Sequence, residues 1–172
     1  MLYPKDTPLA RGYKMSTPRL TEIVERELSG FPYLATIYDA DIDTGSPKQI
    51  SITTGAKKAV VKITVKAKTA ATVALNTGLV IGTGGSANEG TSVAFAKRDQ
   101  SNTSTPLTVV KQDYVLGTSG QTAGTAVVTD YINPDDEIII KFKLKESTAY
   151  GLVFTPLADG DIGHFYIELY EA

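Results

Sequence analysis

The chain has 172 residues, with a hydrophobic fraction of 42% and a charged fraction of 21%, an ordinary globular composition long enough for one domain plus an extension or for one large sandwich. A domain of this size buries about 70% of the surface its unfolded chain exposes, so it needs neither metal nor disulfide to be stable. A formal charge of −2 and a pI near 5.4 give no electrostatic footprint for nucleic acid, and the lack of cysteine removes disulfides, thiolate metal sites and cysteine nucleophiles together.

The first residues, MLYPKDTPLARGYK, hold no apolar core of signal-peptide length. No stretch approaches the roughly 20 apolar residues that span a bilayer. The expectation is a soluble product of the cytosol with no membrane partner. Over residues 1 to about 15, Pro4, Pro8 and Gly12 disfavour regular structure, while Tyr3, Leu9 and Tyr13 are bulkier than a free linker needs. Two readings stand: an extended arm that orders only against a partner, or a floppy terminus. Thr17 before Pro18 has the form of an N-cap followed by a first helical turn. Leu20, Ile23, Val24 and Leu28 then share one face, and Gly30 is placed to end the element. This spacing predicts one short helix over about 18–29, too short to stand without packing on the rest of the chain or on a partner. Residues 1–30 are therefore read as an arm, with Tyr3, Leu9, Tyr13, Leu20, Ile23 and Val24 as its contact residues.

From about Phe31 to the end, residues 31–172, the period changes to two. Ala59, Val61, Ile63, Val65 and Ala67 alternate with Lys62, Thr64, Lys66 and Lys68, a strand with one buried and one wet face. Further strands are predicted over Gln49–Thr53, Thr72–Asn76, Leu79–Ile81, Val93–Lys97, Thr108–Gln112, Thr125–Ile132, Glu137–Lys143, Tyr150–Thr155 and His164–Tyr170. Many short strands with Gly-rich turns and no second helix predict an all-β fold, an antiparallel sandwich of jelly-roll type. The outer side of the last two strands carries more aromatics than solvent requires, Tyr166 and Tyr170 among them. A subunit interface and packing on the arm or a loop both account for them.

Candidate chemistry is sparse. Asp39, Asp41 and Asp43 alternate as in an EF-hand loop, but the glycine falls one place late, position twelve is Ile50 and no helices flank the segment. They are the candidates for a metal; a solvated acidic strand end is the expectation. The run Gly82–Thr83–Gly84–Gly85–Ser86 lacks the lysine and following helix of a phosphate loop. His164 is the single histidine, expected on the outer face of the last strand, and no G-x-S-x-G elbow is present. The lysines at 62, 66 and 68 and at 141, 143 and 145 have no aromatic interleaved on their own face of the strand, which suits solubilising a face and blunting edges better than gripping nucleic acid. No catalytic device and no cofactor are expected.

The block from Gly90 to Tyr170 resembles small β-sandwich proteins encoded in the structural gene clusters of tailed phages. The segments that carry the likeness are Gly90–Thr91, the polar loop Lys97–Arg98–Asp99–Gln100–Ser101–Asn102, Leu107 to Tyr114, Gly124–Thr125, Leu144–Lys145, Tyr150 to Thr155 and the closing Ile167–Glu168–Leu169–Tyr170–Glu171. The loop departs from the family pattern in reading Lys-Arg-Asp-Gln where repeated Asn and Arg are usual. The resemblance implies a virion accessory protein, a capsid decoration, cement or head-fibre protein. Such a protein is commonly a homotrimer, with the major capsid protein or another virion protein as partner and the arm as the tether. The alternative is a receptor- or glycan-binding fibre module, which exposed aromatic platforms near the loops would favour.

Overall fold

The structure, a computed structural model, describes residues 32–81, 89–98, 104–116 and 121–171. The arm over 1–30, its helix over 18–29, the contact residues Tyr3, Leu9, Tyr13, Leu20, Ile23 and Val24, and the glycine run 82–86 lie outside the described residues. Eleven strands follow in chain order: β1 (Tyr33–Ile42), β2 (Lys48–Thr53), β3 (Ala59–Ala67), β4 (Ala71–Thr77), β5 (Thr91–Val93), β6 (Ala96–Lys97), β7 (Val109–Gln112), β8 (Thr125–Ile132), β9 (Glu137–Leu144), β10 (Ala149–Pro156) and β11 (Asp161–Glu171). They form a first sheet in the order β6-β1-β11-β3-β9 and a second in the order β5-β7-β2-β10-β4-β8. Neighbours in both sheets run antiparallel.

Without the short strands β5 to β7, inserted between β4 and β8, the sheets read β1-β11-β3-β9 and β2-β10-β4-β8. The chain changes sheet at every connection among these eight strands except from β4 to β8. That order is the jelly roll, two Greek keys folded face to face. The expected fold class is therefore the observed one.

Alternation decides what is buried. The first sheet turns Ala35, Ile37, Val61, Ile63, Val65, Phe165, Ile167 and Leu169 inward, and the second turns Ile50, Ile52, Val73, Leu75, Leu152 and Phe154 to meet them. Phe154 and Phe165 meet edge to face across the interior with centroids 5.4 Å apart. Each such side chain contributes about 1.5–3 kcal/mol by leaving water. Tyr150 also faces inward, and its hydroxyl accepts the Lys145 N–H at 2.8 Å.

Three local readings change. Leu79–Ile81 is not a strand: Gly78 adopts φ +74°, which turns the chain off the β4 ladder, and Val80 keeps only an isolated bridge to Thr122. Val93–Lys97 divides, because β5 pairs with β7 in the second sheet while β6 pairs with β1 in the first. Phe95, at the crossing, packs on the core with its ring 6.3 Å from that of Tyr33. In β1 the register slips between Asp39, opposite Gly163, and Ile42, opposite Asp161. This bulge ends the even alternation on which a shared aspartate face over 39–43 would depend.

Candidate interaction surface

The outer face of the first sheet follows from register. Across β1, β11, β3 and β9 one row reads Tyr38, His164, Lys66, Glu137, and the next Thr36, Tyr166, Thr64, Ile139. A third reads Leu34, Glu168, Lys62, Lys141, and Tyr170, Val60 and Lys143 close the face. His164, Tyr166 and Tyr170 thus stand on the outer side of the last strand, as the alternation required. The lysines of β3 do have aromatic neighbours, supplied by β11, which no reading along one strand could show.

Aromatic and charged groups divide this face. Tyr38 is 56% exposed, and its ring centroid lies 4.6 Å from that of His164. The Tyr166 ring continues the line, nearly parallel to His164 at 6.5 Å. Further along the strand, Glu168 is only 7% exposed although it points away from the core. Lys62 reaches it at 2.7 Å and the Arg98 guanidinium closes on its other oxygen. Arg98 is brought there by its backbone N–H, which donates to the Pro32 carbonyl at 2.9 Å. A carboxylate so covered is tolerated because two cations neutralise it; losing either would leave a desolvated charge. Lys66 pairs with Glu137 at 3.0 Å in the open, and the bond to that carboxylate raises its pKa.

The acidic segment is put to other use. Asp39 falls in the inward phase of β1 and accepts the Lys48 ammonium at 2.8 Å. Asp43 accepts the Gly160 N–H at 3.1 Å. Thr44 donates both its N–H and its hydroxyl to Asp159, at 2.8 and 2.6 Å, which holds that carboxyl below its usual range. Among the described residues no three His, Asp or Glu side chains converge on a metal-sized site.

Sequence reasoning missed Lys48 itself. Its side chain is 6% exposed, and it meets Asp113 at 2.7 Å as well as Asp39. Burial, the largest influence, pulls its pKa down, but the hydrogen bonds and charges of the two carboxylates together outweigh it and the net shift is upward. The available signal was phase: Lys48 stands in register with inward Ile50 and Ile52, so a cation there needs partners. Asp113 had no such signal, since it reaches the site from a left-handed turn at φ 59° after β7.

The four edge strands bear on association. β5 and β6 have only three and two residues. β9 exposes Lys141 and Lys143. β8 carries a bulge between its pairs Leu75–Val128 and Asn76–Ala126. It also sets Asp130 opposite inward-facing Val73, and that carboxylate caps the Tyr131 N–H at 2.8 Å. Short length, lysines, bulges and inward charges are the devices that stop a sheet from adding foreign strands. Faces, not edges, are left for contact.

Comparison of the chain with protein-family models, with curated proteins and with solved structures gave no match.

Proposed function

We propose that this chain is a structural protein of a phage virion, a capsid decoration, cement or head-fibre protein that attaches to the particle through residues 1–30 and self-associates through its sandwich. The observation that carries the reading is the contrast between four guarded edges and an outer face of the first sheet that keeps Tyr166 and Tyr170 beside the neutralised charge of Glu168. Aromatics beside a carboxylate whose charge is paired off are the composition of a contact surface. The virion placement rests on the resemblance of the Gly90–Tyr170 block. The jelly roll accommodates it, being a fold that serves capsid proteins and lectins alike, so fold by itself does not choose.

The test compares heads assembled with and without the protein during heating and chelation, together with co-sedimentation of the purified chain. Heads lacking it are expected to open at lower temperature. Equal stability and no co-sedimentation would overturn the proposal.

A further inference from the structure

At the β11–β3–β9 end of the same face lies a cleft of about 450 Å3, within the range of about 300–1,000 Å3 usual for small-ligand sites. Lys66, Lys68, Asp135, Asp136, Glu137 and His164 line it. Its wall is held by the backbone: the Ala67 N–H donates to the Asp136 carbonyl and the Asp135 N–H to the Lys68 carbonyl, each at 3.3 Å. The turn is closed by the Asp136 N–H on the Asn133 carbonyl at 3.2 Å and by the Glu137 N–H on the Asp136 carboxylate at 2.8 Å. The cleft is thus formed before any ligand arrives, and binding there does not require ordering a loop.

The lining mixes both signs within one small volume. An anion would meet Asp135, Asp136 and Glu137, and a cation would meet Lys66 and Lys68. Hydroxyl groups suit both, since each donates one hydrogen bond and accepts others. Beside this polar wall, across His164, stands the exposed Tyr38 ring, tilted 52° to the imidazole and in contact with it. An amphipathic ligand with hydroxyls on its edge and C–H groups on its face matches the pair, because aromatic side chains take an apolar body on the ring and leave the polar end wet.

We propose that this cleft and the Tyr38–His164 platform bind an uncharged sugar chain, its pyranose C–H face on Tyr38 and its hydroxyls among Lys68, Asp135 and Glu137. The site lies beside Tyr166 on the same face, apart from the arm that carries the proposed attachment, and would add an adhesive function to the sandwich.

The probe is an array of immobilised oligosaccharides, neutral alongside sialylated and sulfated, read with the full-length protein, followed by calorimetric titration of the best neutral binder. Selective retention on neutral sugars is expected. Tyr38→Ala should weaken binding about tenfold, the upper end of what one aromatic contact supplies. Asp135→Asn, which tolerates the left-handed backbone at φ 59°, should weaken it as well. Tyr131→Ala, an exposed tyrosine on the second sheet, should bind as the parent does. Retention on no neutral sugar, retention on acidic sugars alone, or parental affinity in either Tyr38→Ala or Asp135→Asn would overturn the site. Because Tyr38→Ala protein is still expected to co-sediment with heads, failure here is separable from failure of the structural role.

Discussion

Lys48 shows how one residue can hold two loops at once. Its ammonium joins Asp39, on the bulged end of β1, to Asp113, on the turn after β7, at the rim where the two sheets meet. Lys48→Ala leaves Asp39 and Asp113 without their cation; because both carboxylates reach water, the expected loss of stability is about 1–2 kcal/mol, between an exposed and a buried pair, as measured by denaturant unfolding. The same site sets an alkaline limit. The folded-state pKa of Lys48 lies above its unfolded value of about 10.4, so its stabilisation is complete below that pH and is lost as pH rises through the folded-state value. Tyr114 acts with the same sign: burial pushes its phenol up to about 12, against about 10 unfolded, and its hydroxyl has no partner among the described residues to hold the anion. Thermal midpoints should therefore fall steeply between about pH 10 and pH 12. In Lys48→Ala combined with Tyr114→Phe the midpoint should start lower and fall less. An equal slope in parent and double variant would show that these two groups are not the cause.

At the scale of strands, period-two alternation made the elements legible. Ala59–Ala67 and Glu137–Leu144 bury the faces their sequence assigns, because a half-wet strand must place every second residue in the core. Where one residue broke that rhythm, sequence reading failed. Gly78 removed a strand, and the β1 bulge after Asp39 broke the alternation that would have kept Asp39, Asp41 and Asp43 on one face. The edges were half legible: the lysines of β9 announce a guarded edge, but the role of Asp130 needs the knowledge that β8 is terminal in its sheet. Asp130→Val leaves β8 as a charge-free run rich in β-branched residues, with the bulge its remaining guard. It should aggregate faster than the parent on incubation below the melting temperature, read by light scattering. Unchanged scattering would mean that the bulge alone closes this edge.

For the whole molecule, composition and turn spacing implied a sandwich but could not order it. β1 and β11 lie at opposite ends of the described chain yet share a ladder from Tyr33–Leu169 to Ile42–Asp161, and no local pattern encodes a partner that distant. The same gap hid Glu168: its sequence neighbours mark it as an outer residue, while Lys62 and Arg98 cover it from β3 and from beyond β6. Closure of the jelly roll bears on what residues 1–30 do. Among the described residues the continuous core runs from Tyr33 to Leu169, and β1 is fixed by β11 on one side and β6 on the other. A chain starting at residue 31 keeps all of these contacts. It is expected to unfold in one cooperative step, within a few degrees of the full-length midpoint, on the order of 1 kcal/mol at this size. The same truncated protein should no longer co-sediment with heads, because the proposed tether is gone while the sandwich remains. Should it aggregate instead, the apolar stripe of Leu20, Ile23, Val24 and Leu28 covers part of the sandwich and belongs to the fold. Should it fold and still join particles, attachment runs through the outer face of the first sheet, and Tyr166 and Tyr170 become the residues to replace.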